Sequence, residues 1–372
     1  MFEKVGMSDS KKAVSSPEIS LSWKKKATYT ILIFIVFLFA LEGMLRVVGI
    51  ADDVEGLRQD GGIVQSGDGR LGLSYTPGWT GYYAGAMTTI NSAGWRGPEF
   101  SPEKMPGKTR ILGVGDSFVF GKAVNDEETF LFKLEQKLNA EGNGNYETIN
   151  AGVERINTVG ALRRFKEKNM LGLAPDVVVL GFTVRNDAQD SRNRSEFRKL
   201  RRRGSFLLRL SSSDGFKSFA DYSRIVRILR SGAQWAVNGE ETRLYYDIIL
   251  KNYADDSRTW NNCREALLGF AEICRENRIP LVFVIFPMYT VEISQTYKDY
   301  PEDFRNVHKK LEAVFSGIEG VTVIDMLDDL TATELKVRDL TVPIDMHPNA
   351  IWHEVLAGKL YSVIRKINSD AH

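Results

Sequence analysis

"RILGVGDSFVFG", residues 110–121, runs an apolar strand into Gly115-Asp116-Ser117 and reaches Gly121 four residues after the serine. An apolar run that ends on glycine and resumes as a helical stretch is a strand-to-helix turn, where an open α/β sheet presents its functional side chains. Ser117 is therefore either a nucleophile held at that turn or a polar residue capping a helix, a role serine often fills. The rest of the chain has to decide between them.

Downstream, strands and helices alternate. "EETFLFKLEQKLNAEG" carries apolar residues at helical spacing, "YETINAG" is a second strand, and a further helical stretch runs to Met170. "PDVVVLGFT" and "IPLVFVIFP" are continuously apolar, as strands covered on both faces are, and "GVTVIDM" is a fifth strand. "AIWHEVLAGKLYSVIRKI" closes the chain as a helix. This order predicts an α/β domain over 108–368, with a mainly parallel five-stranded sheet and helices on both faces. Between strands three and four lies an insertion of about 90 residues, 188–278, expected to be helical. It opens with "RNRSEFRKLRRR", whose seven basic residues read as a solvated helix face, with anionic lipid or an acidic glycan as the rival partner. Its later part, "CREALLGFAEICREN", places Cys263 and Cys274 on one helix face about 16 Å apart, beyond disulfide reach, so both are expected as buried thiols.

Upstream, residues 51–107 are rich in Gly, Thr, Tyr and Trp and read as a β-rich preface of short strands and turns. Its aromatic residues Trp79, Tyr82, Tyr83 and Trp95 are expected to pack, with sugar stacking as the competing role. Before it, Lys24 to Lys26 precede an uncharged run from Ala27 to Leu41, and apolar character resumes through Ile50. A spanning helix needs about 20 mostly apolar residues, so 27–50 is expected to be a transmembrane anchor, with Glu42 and Arg46 paired near its far end. The N-terminal segment 1–26 holds six lysines against Glu3, Asp9 and Glu18, which keeps it cytoplasmic and exports the remainder. Small residues at the usual cleavage positions are not obvious around Leu38, Phe39 and Ala40, which favours an uncleaved anchor over a signal peptide.

A net charge of +1 gives no global pull toward nucleic acid, so no nucleic-acid partner is expected. Four scattered histidines make no metal-ligand cluster, and "GVGDS" lacks the lysine of a P-loop, so neither a metal nor another cofactor is expected. Chemistry must then come from side chains that follow the strands directly. Ser117 follows the first, Gly152 the second and Asn186 the third, while Asp345 and His347 stand in "VPIDMHPNAIWH" ahead of the last helix. Each alone has a plain structural explanation; their order and placement do not.

Those ordered blocks resemble the SGNH, or GDSL-like, hydrolase superfamily in its membrane-anchored bacterial form. Gly115-Asp116-Ser117 with Gly121 matches the first block, Gly152 the second, Asn186-Asp187 the third and Asp345-Met346-His347 the last. Val184 stands two residues before Asn186, where the family usually carries glycine. The "INSAGWRGPEF" leader resembles the membrane-anchored members as well. The resemblance implies a three-layer flavodoxin-like SGNH-hydrolase fold and a catalytic set of Ser117, Asp345 and His347. Ser117 would be the nucleophile, His347 its general base, and Asp345 the group that orients the imidazole. The implied oxyanion donors are the backbone N–H groups of Ser117 and Gly152 and the Asn186 amide. His353, His308 and His372 compete less well for the base, since none belongs to an Asp-x-His pair.

The expected activity is a serine esterase on O-acyl, most plausibly O-acetyl, esters of an envelope carbohydrate or lipid. An O-acyltransferase is the first alternative and an inactive glycan-binding or envelope-assembly protein the second. Oligomeric state is unassigned.

Overall fold

β-branched and aromatic residues on short runs dominate the strands of the central sheet. The computed structural model describes residues 22–48, 61–68, 71–140, 145–189, 223–226, 228, 239–288, 300–333, 335–342 and 347–370. The chain divides into two units, Met1–Ile50 and Ala51–His372.

In the first unit, Trp23–Val48 is one 26-residue helix (α1) with apolar side chains exposed around its circumference, Ile33, Phe34 and Phe39 among them. At 1.5 Å per residue it reaches about 39 Å, and it is long and apolar enough to cross a bilayer core of about 30 Å. Glu42 and Arg46 pair at 3.0 Å one turn apart, so the two charges inside the apolar run compensate each other.

The second unit opens with two antiparallel hairpins. Val64–Asp68 (β1) pairs with Gly72–Tyr75 (β2), and Thr80–Tyr83 (β3) pairs with Ala86–Thr89 (β4). Then come the strands of the central sheet, Thr109–Val114 (β5), Tyr146–Asn150 (β6), Val177–Thr183 (β7), Leu281–Phe286 (β8) and Val321–Asp325 (β9). All four pairings are parallel, in the order β6-β5-β7-β8-β9. Numbered within the sheet this is 2-1-3-4-5, the flavodoxin-like order, whose switch point lies between β5 and β7. β7 and β8 are buried at every residue, which explains their unbroken apolar sequence.

Ser117–Phe120 is a single turn (α2), followed by helices Phe130–Ala140 (α3), Thr158–Glu167 (α4), Gly239–Asn252 (α5), Arg258–Glu276 (α6), Glu302–Val314 (α7), Met326–Thr331 (α8), Val337–Leu340 (α9) and Ala350–Asp370 (α10). α3 packs on α10, while α4 packs on α6, which also meets α5 and α7. These are the two helical layers that right-handed crossovers place on opposite faces of such a sheet. α6 is a core element: Trp260, Cys263, Leu267, Phe270 and Cys274 form its buried stripe at helical spacing. Both cysteines are free, and burial pushes both thiols above their ordinary pKa. The basic run Arg192–Arg203 lies outside the described residues.

Candidate active site

The carboxyl end of β5 delivers the chain into Gly115, where a side chain would come within 2.9 Å of the Gly181 carbonyl and 2.5 Å of Val119. Only glycine fits there. Asp116 caps the next turn: its Oδ1 accepts from the Phe118 N–H at 2.9 Å, which satisfies one of the N–H groups at the start of α2. Gly121 ends that turn in the left-handed region, at φ 79°, and its N–H donates to the Ser117 carbonyl.

Ser117 is half-buried, and its Oγ lies 2.8 Å from His347 Nε2. The two residues are 230 positions apart in the chain. The imidazole leans on Phe118, with ring centroids 5.2 Å apart, and Phe118 in turn stacks on Phe286 at the end of β8. The loop that carries His347 is pinched by backbone bonds. The Val342 N–H donates to the His347 carbonyl at 2.8 Å, Thr341 bridges Pro348, and the Asn349 N–H donates to the Leu340 carbonyl. Asn349 then caps α10 through its side-chain oxygen. Asp345 lies outside the described residues.

Asn186 stands in the turn after β7, two positions from the buried Val184. Its Nδ2 donates to Asp116 Oδ2 at 2.7 Å. One carboxylate thus holds the Ser117 turn with one oxygen and the Asn186 amide with the other, fixing their mutual orientation. The neighbouring Asp187 is buried as well and accepts from the Thr183 N–H and from Thr158 Oγ1. Burial raises the pKa of both carboxyls; hydrogen bonds from Asn186 and Phe118 pull Asp116 back, whereas the charge of Asp116 pushes Asp187 further up.

Gly152 follows β6 and lies against the backbone of the nucleophile turn. A Cβ there would be 2.2 Å from the Phe120 nitrogen and 2.6 Å from the Val119 carbonyl carbon. The Gly152 N–H donates to Asn150 Oδ1 at 3.0 Å, an Asx turn of the Asn-x-Gly type. The structure therefore brings Ser117, Gly152, Asn186 and His347 to one end of the sheet, around the switch point. Asp116 and Asn150, to which the motifs assigned no role, hydrogen-bond to these candidate residues. Both were adjacent to the motif residues, the first inside Gly-Asp-Ser and the second two places before Gly152.

The other histidines have different partners. His353 is buried, its Nδ1 accepts from the Phe130 N–H at 3.2 Å, and desolvation lowers its pKa to about 3. His308 is buried too, 2.8 Å from Asp325 through Nδ1 and 3.2 Å from the Tyr300 hydroxyl through Nε2. This Asp–His pair joins α7 to the end of β9, and the charged sequence around His308 conceals it. Among the preface aromatics, Tyr83 is buried, the Trp79 indole donates to the Gly61 carbonyl and Trp95 packs on Phe100. These contacts are packing contacts.

No family model and no curated protein matches the chain. Among solved structures, it is similar to a G-D-S-L family protein from Desulfitobacterium hafniense DCB-2, at 13% identity and TM-score 0.39, over 68% of this chain and 99% of that one. It is similar over the same shares to the acetyl xylan esterase AlAXEase, at 15% identity and TM-score 0.39. A psychrotrophic esterase, EstA from Pseudoalteromonas sp., matches at 15% identity and TM-score 0.37, over 70% of this chain and 99% of that one.

Proposed function

We propose that this chain is a serine esterase that works through an acyl-serine intermediate. The observation that carries the reading is the 2.8 Å contact between Ser117 Oγ and His347 Nε2 at the carboxyl end of a parallel sheet. Ser117 Oγ attacks the ester carbonyl while His347 Nε2 takes its proton. The carbonyl π bond opens to an oxyanion, which the Ser117 N–H and the Asn186 amide stabilise. The Gly152 N–H joins them by sharing its bond to Asn150. Collapse expels the alcohol oxygen, protonated by His347. Water, deprotonated by the same imidazole, then attacks the acyl-serine and releases the acid. Asp345 orients the imidazole and stabilises its protonated form.

The proposed substrates are O-acyl esters, O-acetyl first, on a carbohydrate or lipid of the cell envelope. The reading is supported by α1, which suits a single-pass anchor with a cytoplasmic N-terminus and an exported second unit. The test uses the full-length protein in detergent micelles, with fluorophosphonate labelling mapped by mass spectrometry and hydrolysis of an aryl acetate. Labelling should map to Ser117 and vanish in Ser117→Ala, and turnover should fall by about three orders of magnitude in His347→Ala. Folded wild-type protein that neither labels nor hydrolyses would overturn the proposal.

A further inference from the structure

A nucleophile on one turn of helix has a structural problem. α2 is four residues long, so it has no following turn to bond its last carbonyl groups. In this protein the last of them, that of Phe120, and the Gly121 carbonyl after it are met from outside the sheet, by a side chain that precedes Ser117 by 21 positions. Arg96, from "INSAGWRGPEF", is 3% exposed. Its Nη1 donates to the Phe120 carbonyl at 3.1 Å and to the Gly121 carbonyl, and its Nη2 donates to the Val124 carbonyl at 2.6 Å. Its Nε donates to Asp126 Oδ1 at 2.8 Å. Four acceptors thus surround one planar fork, and the buried charge is paired and bonded at each nitrogen.

Further contacts extend this clamp to the oxyanion loop. The Phe120 carbonyl also accepts from Asn150 Nδ2 at 3.2 Å, and Asn150 Oδ1 takes the Gly152 N–H. The Arg96 backbone forms a bridge to Asn150. The Phe120 ring is held by the guanidinium at 5.0 Å, by Tyr75 stacked at 4.8 Å and by Tyr83 edge-on at 6.2 Å. Tyr75 in turn accepts the Glu154 N–H, two residues after Gly152.

We infer that Arg96 is a positioning residue of the catalytic centre: it holds the turn that presents Ser117 in register with the loop that presents Gly152. The β-rich segment before the sheet thereby supplies part of the catalytic scaffold. Lysine cannot replace this arginine, since an ammonium has no planar fork to reach four acceptors lying on different sides.

The inference rests on Ser117 as the nucleophile, so the experiment separates the two. The full-length chain in micelles is titrated with a fluorophosphonate, reading both the final labelled fraction and the first-order rate of labelling at saturating probe. Wild type, Arg96→Lys, Arg96→Gln and Glu99→Gln are compared. Glu99→Gln loosens the same segment at Ser92 and leaves the guanidinium untouched. The expected result for Arg96→Lys is a full labelled fraction reached about 100-fold more slowly, with the probe concentration at half-saturation little changed. Glu99→Gln should label at the wild-type rate. A reduced fraction labelled at the wild-type rate in both Arg96 variants would make Arg96 a fold stabiliser only and overturn the inference. Equal slowing in Glu99→Gln would overturn it too, by assigning the effect to the whole segment. Wild-type protein that does not label would remove the nucleophile itself, and this inference with it.

Discussion

At the scale of single residues, the site is organised by Asp116 as much as by Ser117. Its two oxygens serve the Phe118 N–H and the Asn186 amide, so a buried carboxylate sets the angle between the Ser117 turn and the proposed oxyanion donor. Asn186→Ala should lower kcat by about 100- to 1000-fold and leave KM within a few-fold, because the amide acts on charge that exists only in the transition state. Steady-state kinetics on an aryl acetate check this; an unchanged kcat would remove Asn186 from the oxyanion site. Ser117, Gly152 and Asn186 were legible because each follows a strand in a recognisable order. The Asp116–Asn186 bond was not, since it joins positions 70 apart, and no local pattern encodes that distance.

At the scale of elements, α10 carries a pH dependence that its sequence conceals. His353 lies in the first turns of that helix, stacks on Phe130 at 5.8 Å and accepts the first N–H of α3. Burial, then Arg96, Lys133 and His347, hold its pKa near 3, below the ordinary value of 6.5. The unfolded chain therefore takes up this proton first as the pH falls. The His353 contribution is fully present above about pH 6.5 and erodes between there and about pH 3, at a slope approaching 1.4 kcal/mol per pH unit. Denaturant melts at pH 7 and pH 4.5 should show the loss. His353→Asn, which keeps an acceptor for the Phe130 N–H, should flatten this slope; an equal slope in both proteins would refute the assignment. The sequence shows His353 only as a residue beside Trp352 outside any Asp-x-His pair; the fold buries it completely.

At the scale of the whole molecule, an apolar helix and an α/β unit share one chain. If α1 is an uncleaved anchor, the protein sediments with membranes, resists carbonate extraction and keeps its full mass of 41.9 kDa. A soluble product lacking residues 23–48 would instead identify a removed signal sequence. Protease added outside intact spheroplasts should digest the unit from Ala51 onward, as the lysine-rich N-terminus predicts.

The amino-acid sequence by itself determined the features that are periodic or local. These are the uncharged run of α1, the unbroken apolar runs of β7 and β8, the alternation that makes a parallel sheet, and the residues placed directly after strands. Such features follow from hydrophobic burial and backbone geometry within a few residues, so a linear reading reaches them. Only the tertiary structure decided the partners of the buried polar groups: His347 with Ser117, Asp116 with Asn186, His308 with Asp325 and Arg96 with the carbonyls of Phe120, Gly121 and Val124. A buried donor or acceptor must find a partner somewhere, but which one it finds depends on chain closure over tens to hundreds of residues.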